Sequence, residues 1–254
     1  MKLSKRLETI ASQVPAGSRL ADIGSDHALL PVYLVQQGMI PYAVAGEINP
    51  GPYEAAKKQV AEAGLSHCIA VRRGDGLQAV QAGEVDVITI AGMGGALIVH
   101  ILEQGRSKLE AVQTLVLQPN IGEDQVRHWL TANGWRLAAE QLLEEDGKYY
   151  EVLTAQRDAE NGDTAGTANL YAPRMLACGI QVEESLLYRL GPYLIDSPNE
   201  AFYAKWRSEL RKMAGIAQDM GRSDSESAQV RRDALLLEIA KMEEVLACLQ
   251  KDKP

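Results

Sequence analysis

The chain has 254 residues, 46% of them hydrophobic and 24% charged. That is room for one sizeable α/β domain and a smaller appendage, and it excludes a chain that is disordered throughout. A formal net charge of −8 argues against bulk attraction to nucleic acid or anionic membrane, so a nucleic-acid partner would need a local basic patch.

The three cysteines (Cys68, Cys178, Cys248) and four histidines (His27, His67, His100, His128) are scattered, with no CxxC and no metal-ligand spacing. Reduced, structural thiols and no metal site are expected. No apolar run is long enough to span a bilayer, and the opening MKLSKRLETIASQV lacks a signal-peptide core, so a cytoplasmic protein without a membrane partner is expected.

In chain order, Leu3, Leu7, Ile10 and Val14 recur at helical spacing and predict a docked first helix. From 19 to 156, β-prone runs alternate with helical stretches. RLADIG precedes LLPVYLVQQG, AVAGEI precedes PYEAAKKQVAEAG, and CIAVRRGDG runs into a turn. VDVITIAGMGG then opens ALIVHILEQG, and TLVLQPN precedes EDQVRHWLTANG. This alternation predicts βαβ units around a parallel sheet. Nearly continuous apolar cores at 20–23, 85–90 and 115–117 predict strands covered on both faces. WRLAAEQLLEEDGKYYEVLTAQR reads as two extended runs joined at Glu145–Asp146–Gly147, where Asp-Gly predicts a tight hairpin.

Residues 157–168 are polar and rich in small residues, and they predict a linker. NLYAPRMLACGI and SLLYRLGPYLI could cross back over the first domain. Trp206, Leu210, Met213, Ala217 and Met220 form one seam of alternating three- and four-residue steps. Leu235, Ile239, Met242, Leu246 and Leu249 form a second. GRSDSES, with cap candidates Ser225 and Ser227, lies between them. The seams predict an antiparallel helical hairpin of coiled-coil type, or else two core-facing helix faces. The expected organisation is a ligand-binding domain over 1–156, a linker over 157–168, and a crossover with helical hairpin over 169–254.

Five motifs follow successive strands. The first is Asp22-Ile23-Gly24-Ser25-Asp26-His27-Ala28. Gly24 permits a sharp turn and close ligand approach, and the next helix start offers free N–H groups. Ser25, Asp26 and His27 stand where a dinucleotide fingerprint would continue towards its further glycines. Asp26 is ill placed against pyrophosphate but suits a ligand carrying an ammonium and a sulfonium. Glu47 lies about twenty residues past Gly24, where an acid holds ribose hydroxyls. Asp75 and Gly76 could meet an exocyclic amine and a ring, or form a generic turn. Ala91, Gly92 and Met93, with the two glycines after them, bring bare backbone to the switch point of an open sheet, or simply pack the next helix. In Gln118-Pro119-Asn120 the Asn offers a donor and an acceptor together, suited to the edge of a base such as adenine, although Asn120 could equally cap a helix. Each motif is modest alone, and their recurrence after every strand carries the argument.

The strings ADIGSDHALLP (21–31), GEINPGPYEAA (46–56), RRGDGL (72–77), IAGMGG (90–95), LQPN (117–120) and KYYEV (148–152) resemble the bacterial tRNA adenine-N1 methyltransferase family, TrmK. The terminal helical hairpin is similar to that family's coiled-coil domain. The resemblance implies a Rossmann-like class I methyltransferase fold, whose sheet ends in an antiparallel hairpin. It also implies S-adenosylmethionine as donor and adenine 22 in the D-arm of tRNA as acceptor. It places Asp22, Gly24, Ser25, Asp26 and His27 at the methionine end, Glu47 on the ribose and Ile48 against the adenine. Asp75 and Gly76 meet the cofactor adenine. Ala91, Gly92 and Met93 lie beside the transferred methyl, and Gln118, Pro119 and Asn120 frame the acceptor.

Adenine N1 lies on the Watson–Crick edge, so the base must be unpaired or flipped. Methylation there makes a cation. Asp26, then Asn120, are the candidates to stabilise it, and His27 could relay a proton, or make a structural hydrogen bond instead. Candidate phosphate contacts are Lys2, Lys5 and Arg6, then Lys205, Arg207, Arg211 and Lys212, then Arg231 and Arg232. A charge-mixed, solvated helix face is the plain alternative. Other readings are a methyltransferase for a small molecule or protein that uses the tail to dimerise, and a non-catalytic RNA-binding scaffold. A nicotinamide-dependent oxidoreductase is disfavoured by the missing fingerprint glycines. A monomer or weak dimer is expected.

Overall fold

The computed structural model describes residues 2–157, 170–222 and 225–251, and the chain divides into two compact units between 168 and 169. Apart from Arg157, the expected linker lies outside the described residues.

The first unit opens with α1 (Lys5–Gln13), whose N-cap Ser4 accepts the Leu7 N–H. Leu3, Ile10 and Val14 of the predicted stripe are buried in one core, with Leu7 packed against it. There follow β1 (Arg19–Ile23), α2 (Leu29–Gln36), β2 (Tyr42–Glu47), α3 (Pro50–Glu62), β3 (Ile69–Arg73), β4 (Val87–Met93), α4 (Gly95–Gln104), β5 (Thr114–Pro119), α5 (Glu123–Ala132), β6 (Trp135–Glu145) and β7 (Lys148–Arg157).

The seven strands form one sheet in the order β3-β2-β1-β4-β5-β7-β6. β1 pairs parallel with β2 and β4, β2 with β3, and β4 with β5. β7 runs antiparallel to both β5 and β6. The apolar runs predicted to be covered on both faces are covered, and β5 is buried at every position. This is the predicted Rossmann-like sheet closed by an antiparallel hairpin. The turn falls on Asp146 and Gly147, with φ of 51° and 73°, as a two-residue hairpin that follows the sheet twist requires. Beneath the hairpin, Arg127 donates to Glu140 and Glu151 at 2.6 Å each, and all three side chains are almost completely buried.

The second unit holds a small antiparallel pair, β8 (Arg174–Met175) and β9 (Gln181–Val182), that the sequence pattern did not announce. The helices are α6 (Glu184–Leu190), α7 (Pro192–Asp196), α8 (Glu200–Met220) and α9 (Glu226–Lys251). Trp206, Leu210, Met213 and Ala217 bury one seam, and Ile239, Met242, Leu246 and Leu249 the other. Met220 and Leu235, at the far ends of the two seams, are half-buried. Tyr203 ties the helices together by donating to the Leu249 carbonyl at 3.0 Å.

Two expectations are corrected here. Cys178 and Cys248 form a disulfide, with Cα atoms 5.8 Å apart, and Cys68 alone is a free thiol. A separation of 70 residues hid the pair, because only the fold of this unit returns the last turns of α9 to the segment joining β8 and β9. Lys205, nominated as a surface phosphate contact, is 8% exposed, with its ammonium 4.9 Å from the Trp206 ring. It sits one residue before a seam position, so packing takes its stem. No helix among the described residues is long and apolar enough to cross a membrane.

Candidate active site

Because β1 to β5 are parallel, their carboxyl ends share one rim, and the loops after them are hydrogen-bonded to their neighbours. Gly24 and Ser25 donate backbone N–H groups to the Gly46 carbonyl at 2.9 and 3.2 Å. The Asp26 N–H donates to Glu47 Oε1 at 2.7 Å. The Gly74 N–H reaches the Glu47 carbonyl at 2.9 Å, and Arg73 Nε the Ile48 carbonyl at 3.3 Å. On the other side, the Asn120 N–H donates to the Met93 carbonyl at 2.7 Å. The two sides meet at Gly24, where a Cβ would stand 2.3 Å from the Met93 methyl. Gly24 itself has φ of 71°, a backbone that favours glycine, and a side chain there would have to displace the Met93 methyl.

The first loop is strained. Asp26, His27 and Ala28, none of them glycine, take φ of 34°, 63° and 54° in succession. Each left-handed residue of this kind costs on the order of 1–3 kcal/mol and persists only where the surroundings hold it. Asp22 is the brace beneath. It is buried and accepts from Ser25 Oγ and from Thr89 Oγ1, each at 2.6 Å. Burial pushes the Asp22 carboxyl above the usual carboxylate range, against the pull of the two hydroxyls. Glu47 is the brace from the side, buried and bonded to the loop through one oxygen.

These bonds redistribute the predicted roles. Asp22 and Ser25 face inward and hold the loop. Asp26 enters the network through its N–H, while its carboxylate is 81% exposed and 3.6 Å from the exposed His27 Nε2. Among the described residues, none orients that carboxylate toward an acceptor. Ile48 is half exposed at the rim. Asp75 and Gly76 line a cavity of about 300 Å³ beside the third loop, shared with Leu77, His100 and Ile101, a volume in the range of small-molecule sites.

The fourth and fifth loops form one polar cluster. The β4–β5 register shifts between Ala91 and Met93, and Gly92 sits at this bulge with φ of 76°. Its N–H leaves the ladder and donates to Gln118 Oε1 at 3.1 Å. Arg6 Nη1 donates to the same oxygen at 2.8 Å. Gln118 Nε2 donates to the Pro119 carbonyl at 2.9 Å and to Asn120 Oδ1 at 3.1 Å. Gln118 is fully buried and its amide is fully committed, so it frames the pocket and reads nothing. Asn120 is exposed. Its Nδ2 donates to the Gly92 carbonyl at 2.8 Å, which leaves one N–H and one lone pair facing outward. Asn120 does not cap α5, whose N-cap is Gly122.

Arg6 was expected on an RNA phosphate. The structure places it in this cluster, with its guanidinium 5.5 Å from the centre of the Tyr150 ring. Glu145, at the end of β6, sets its position by accepting the Lys5 and Arg6 N–H groups at 2.6 and 3.2 Å. Tyr150 and Thr89 were missed. No motif marks them, and only the KYYEV string pointed near Tyr150. Among the basic candidates of the second unit, Lys212 pairs with Glu209 on its own helix at 2.7 Å. Arg207 and Arg211 line a groove of about 450 Å³ with Glu243 and Gln250.

The family model of tRNA (adenine(22)-N(1))-methyltransferases, TrmK, matches residues 20–244 of this chain. The chain is similar to the tRNA (adenine(22)-N(1))-methyltransferase of Bacillus subtilis (strain 168), 43% identical over 247 residues, which span 97% of this chain and 98% of that protein. Its structure is similar to that of the B. subtilis M1A22 tRNA methyltransferase TrmK, with a TM-score of 0.84 and 41% identity over 96% of this chain and 99% of the other. It is also similar to Streptococcus pneumoniae Sp1610 solved in complex with S-adenosyl-L-methionine, with a TM-score of 0.79 and 39% identity over 96% of this chain and all of that one.

Proposed function

The chain belongs to the TrmK family of tRNA (adenine(22)-N(1))-methyltransferases, and we propose a division of labour among the residues of its rim. The protein transfers a methyl group from S-adenosylmethionine to N1 of adenine 22 in the D-arm of tRNA. The donor set suits that cofactor. Carboxylates at Asp26, Glu47 and Asp75 gather at one rim, suiting a sulfonium, an ammonium and two ribose hydroxyls, with Asp22 holding the loop from beneath. When bound, the cofactor supplies an electrophilic methyl on a cationic sulfur.

The free oxygen of Glu47 holds the ribose, and Asp75 takes the exocyclic amine of the cofactor adenine. The strained backbone at 24–27 and the bulge at 91–93 enclose the methionine end. Asn120 reads the acceptor. A donor and an acceptor side by side fit the N6/N7 edge of adenine, which leaves N1 free for the methyl. Holding N1 in line with the methyl can supply on the order of 7–11 kcal/mol of the barrier reduction. N1 carries its own lone pair, so no base is needed before attack, and the exposed His27–Asp26 pair is left for proton exchange with solvent.

We assign residues 1–156 to donor and acceptor binding and 169–254 to gripping the tRNA, with Lys5, Arg211 and Lys212 as phosphate contacts. The protein works in the cytoplasm, where its tRNA is, as a monomer or weak dimer. The observation that supports this reading most is the meeting of the first and fourth loops at Gly24 and Met93, because it brings the loops after β1 to β3 beside those after β4 and β5 along one rim.

The test is methyl transfer from labelled S-adenosylmethionine to a tRNA transcript carrying A22 and to the same transcript with G22. Label and a reverse-transcription stop at position 22 are expected in the first only. Equal labelling of both transcripts would discard the assignment of N1 of adenine 22.

A further inference from the structure

We propose that Ile121 is a wedge that enters the D-arm base stack in place of the adenine being methylated. The proposal rests on the tRNA methyltransferase reading and adds the device by which this protein exposes a stacked base.

Ile121 follows Asn120 directly, in the loop between β5 and α5, and is 72% exposed. A β-branched apolar side chain in water gains by folding back onto its own protein if its loop can move. This loop is clamped. The Asn120 N–H is bonded to the Met93 carbonyl at 2.7 Å, and the Gly95 N–H to the Ile121 carbonyl at 2.7 Å. Asn120 Nδ2 is bonded to the Gly92 carbonyl at 2.8 Å. Gly95 lies so close that a Cβ on it would stand 2.1 Å from the Gly122 carbonyl oxygen. Gly94 offers it no cover, since even a Cβ built there would only just touch the side chain, at 3.9 Å. The backbone therefore holds Ile121 outward, next to the side chain that reads the acceptor.

An adenine drawn out to expose N1 leaves a gap in the stack. An apolar side chain of this size fills such a gap without stripping water from a polar group, and inserted isoleucine or leucine is a general means of holding bases unstacked. Ile121 has no hydrogen-bonding group with which to read a neighbour, so the wedge tolerates any flanking base.

The test uses the full chain, wild type and I121A, with I121L as the conservative variant. The substrates are two tRNA transcripts that differ only opposite the target adenine: one carries the natural nucleotide, the other an abasic spacer that leaves the adenine unpaired. kcat/KM is measured on each, with S-adenosylmethionine affinity measured by calorimetry. I121A is expected to lose roughly tenfold or more on the natural transcript, the scale of a lost stacking contact. On the spacer transcript it should stay within about threefold of wild type, with cofactor affinity unchanged and I121L restoring most of the loss. A transcript with 2-aminopurine at the target should brighten on binding wild type and stay quenched with I121A. Equal losses on both transcripts, or no loss on either, would overturn the wedge. Wild-type protein inactive on both would overturn the tRNA methyltransferase reading itself, and the wedge with it.

Discussion

Arg6 Nη1 donates to Gln118 Oε1 at 2.8 Å, joining the first helix to the end of the fifth strand across 112 residues of chain. The same guanidinium lies over Tyr150, and Glu145 fixes the helix start from which it projects. The wall that presents Asn120 is therefore supported by an element outside the parallel core.

Removing that support should slow the chemical step more than it weakens cofactor binding. R6A is expected to lower the single-turnover methylation rate about 10- to 100-fold, as loss of positioning does. S-adenosylmethionine affinity should move less than about threefold. R6K should recover little, because an ammonium lacks the planar fork that stacks and donates together. Rapid-quench kinetics paired with calorimetry checks this, and a variant with an unchanged rate but weak cofactor binding would place Arg6 at the donor instead.

Glu47 should behave in the opposite sense. Its carboxylate anchors the first loop through the Asp26 N–H, and its other oxygen is the one we propose for the ribose. A hydrogen bond to a charged group contributes about 1.5–3 kcal/mol, so E47A should weaken S-adenosylmethionine by roughly ten- to a hundredfold. Calorimetry with the cofactor alone reads this without tRNA, and a change of less than twofold would remove Glu47 from the donor site.

Acid sensitivity should trace to Glu84. The Arg72 guanidinium, at 2.6 Å, holds its carboxyl down at about 2 against an ordinary 4.5, with help from the Gln81 N–H and the Tyr42 hydroxyl. The folded value lies below the unfolded one, so the stability it contributes is complete above 4.5 and drains as pH falls from there toward 2. The contribution is at most about 3 kcal/mol. Urea midpoints measured between pH 7 and pH 3 should fall for wild type and fall less steeply for E84Q. Parallel curves would assign the acid sensitivity to other carboxylates.

The parts that were legible in the sequence share a property. The alternation over 19–156, the stripe from Leu3 to Val14, the Asp146–Gly147 turn and the spacing from Gly24 to Glu47 depend on neighbours within a turn, a strand or one βαβ unit. Gln118 and Asn120 were placed correctly at the end of β5, yet nothing local told which would be buried and committed and which would face out. Asp26 looked like the acidic contact of its loop, but three left-handed residues turn its carboxylate to solvent and leave its N–H to do the bonding. Arg6 looked like any basic residue on an exposed helix face, and Lys205 likewise.

Residue periodicity and turn chemistry are short-range, so the linear chain alone laid down the strands, the helices, the hairpin and the rim on which the loops end. Which side chain on that rim touches which was settled by contacts between residues far apart in the chain: Arg6 with Gln118, Asp22 with Thr89, Met93 against Gly24, Cys178 with Cys248. Such contacts have no period to read. They exist only once the sheet has brought the loops together and each buried donor has found its acceptor.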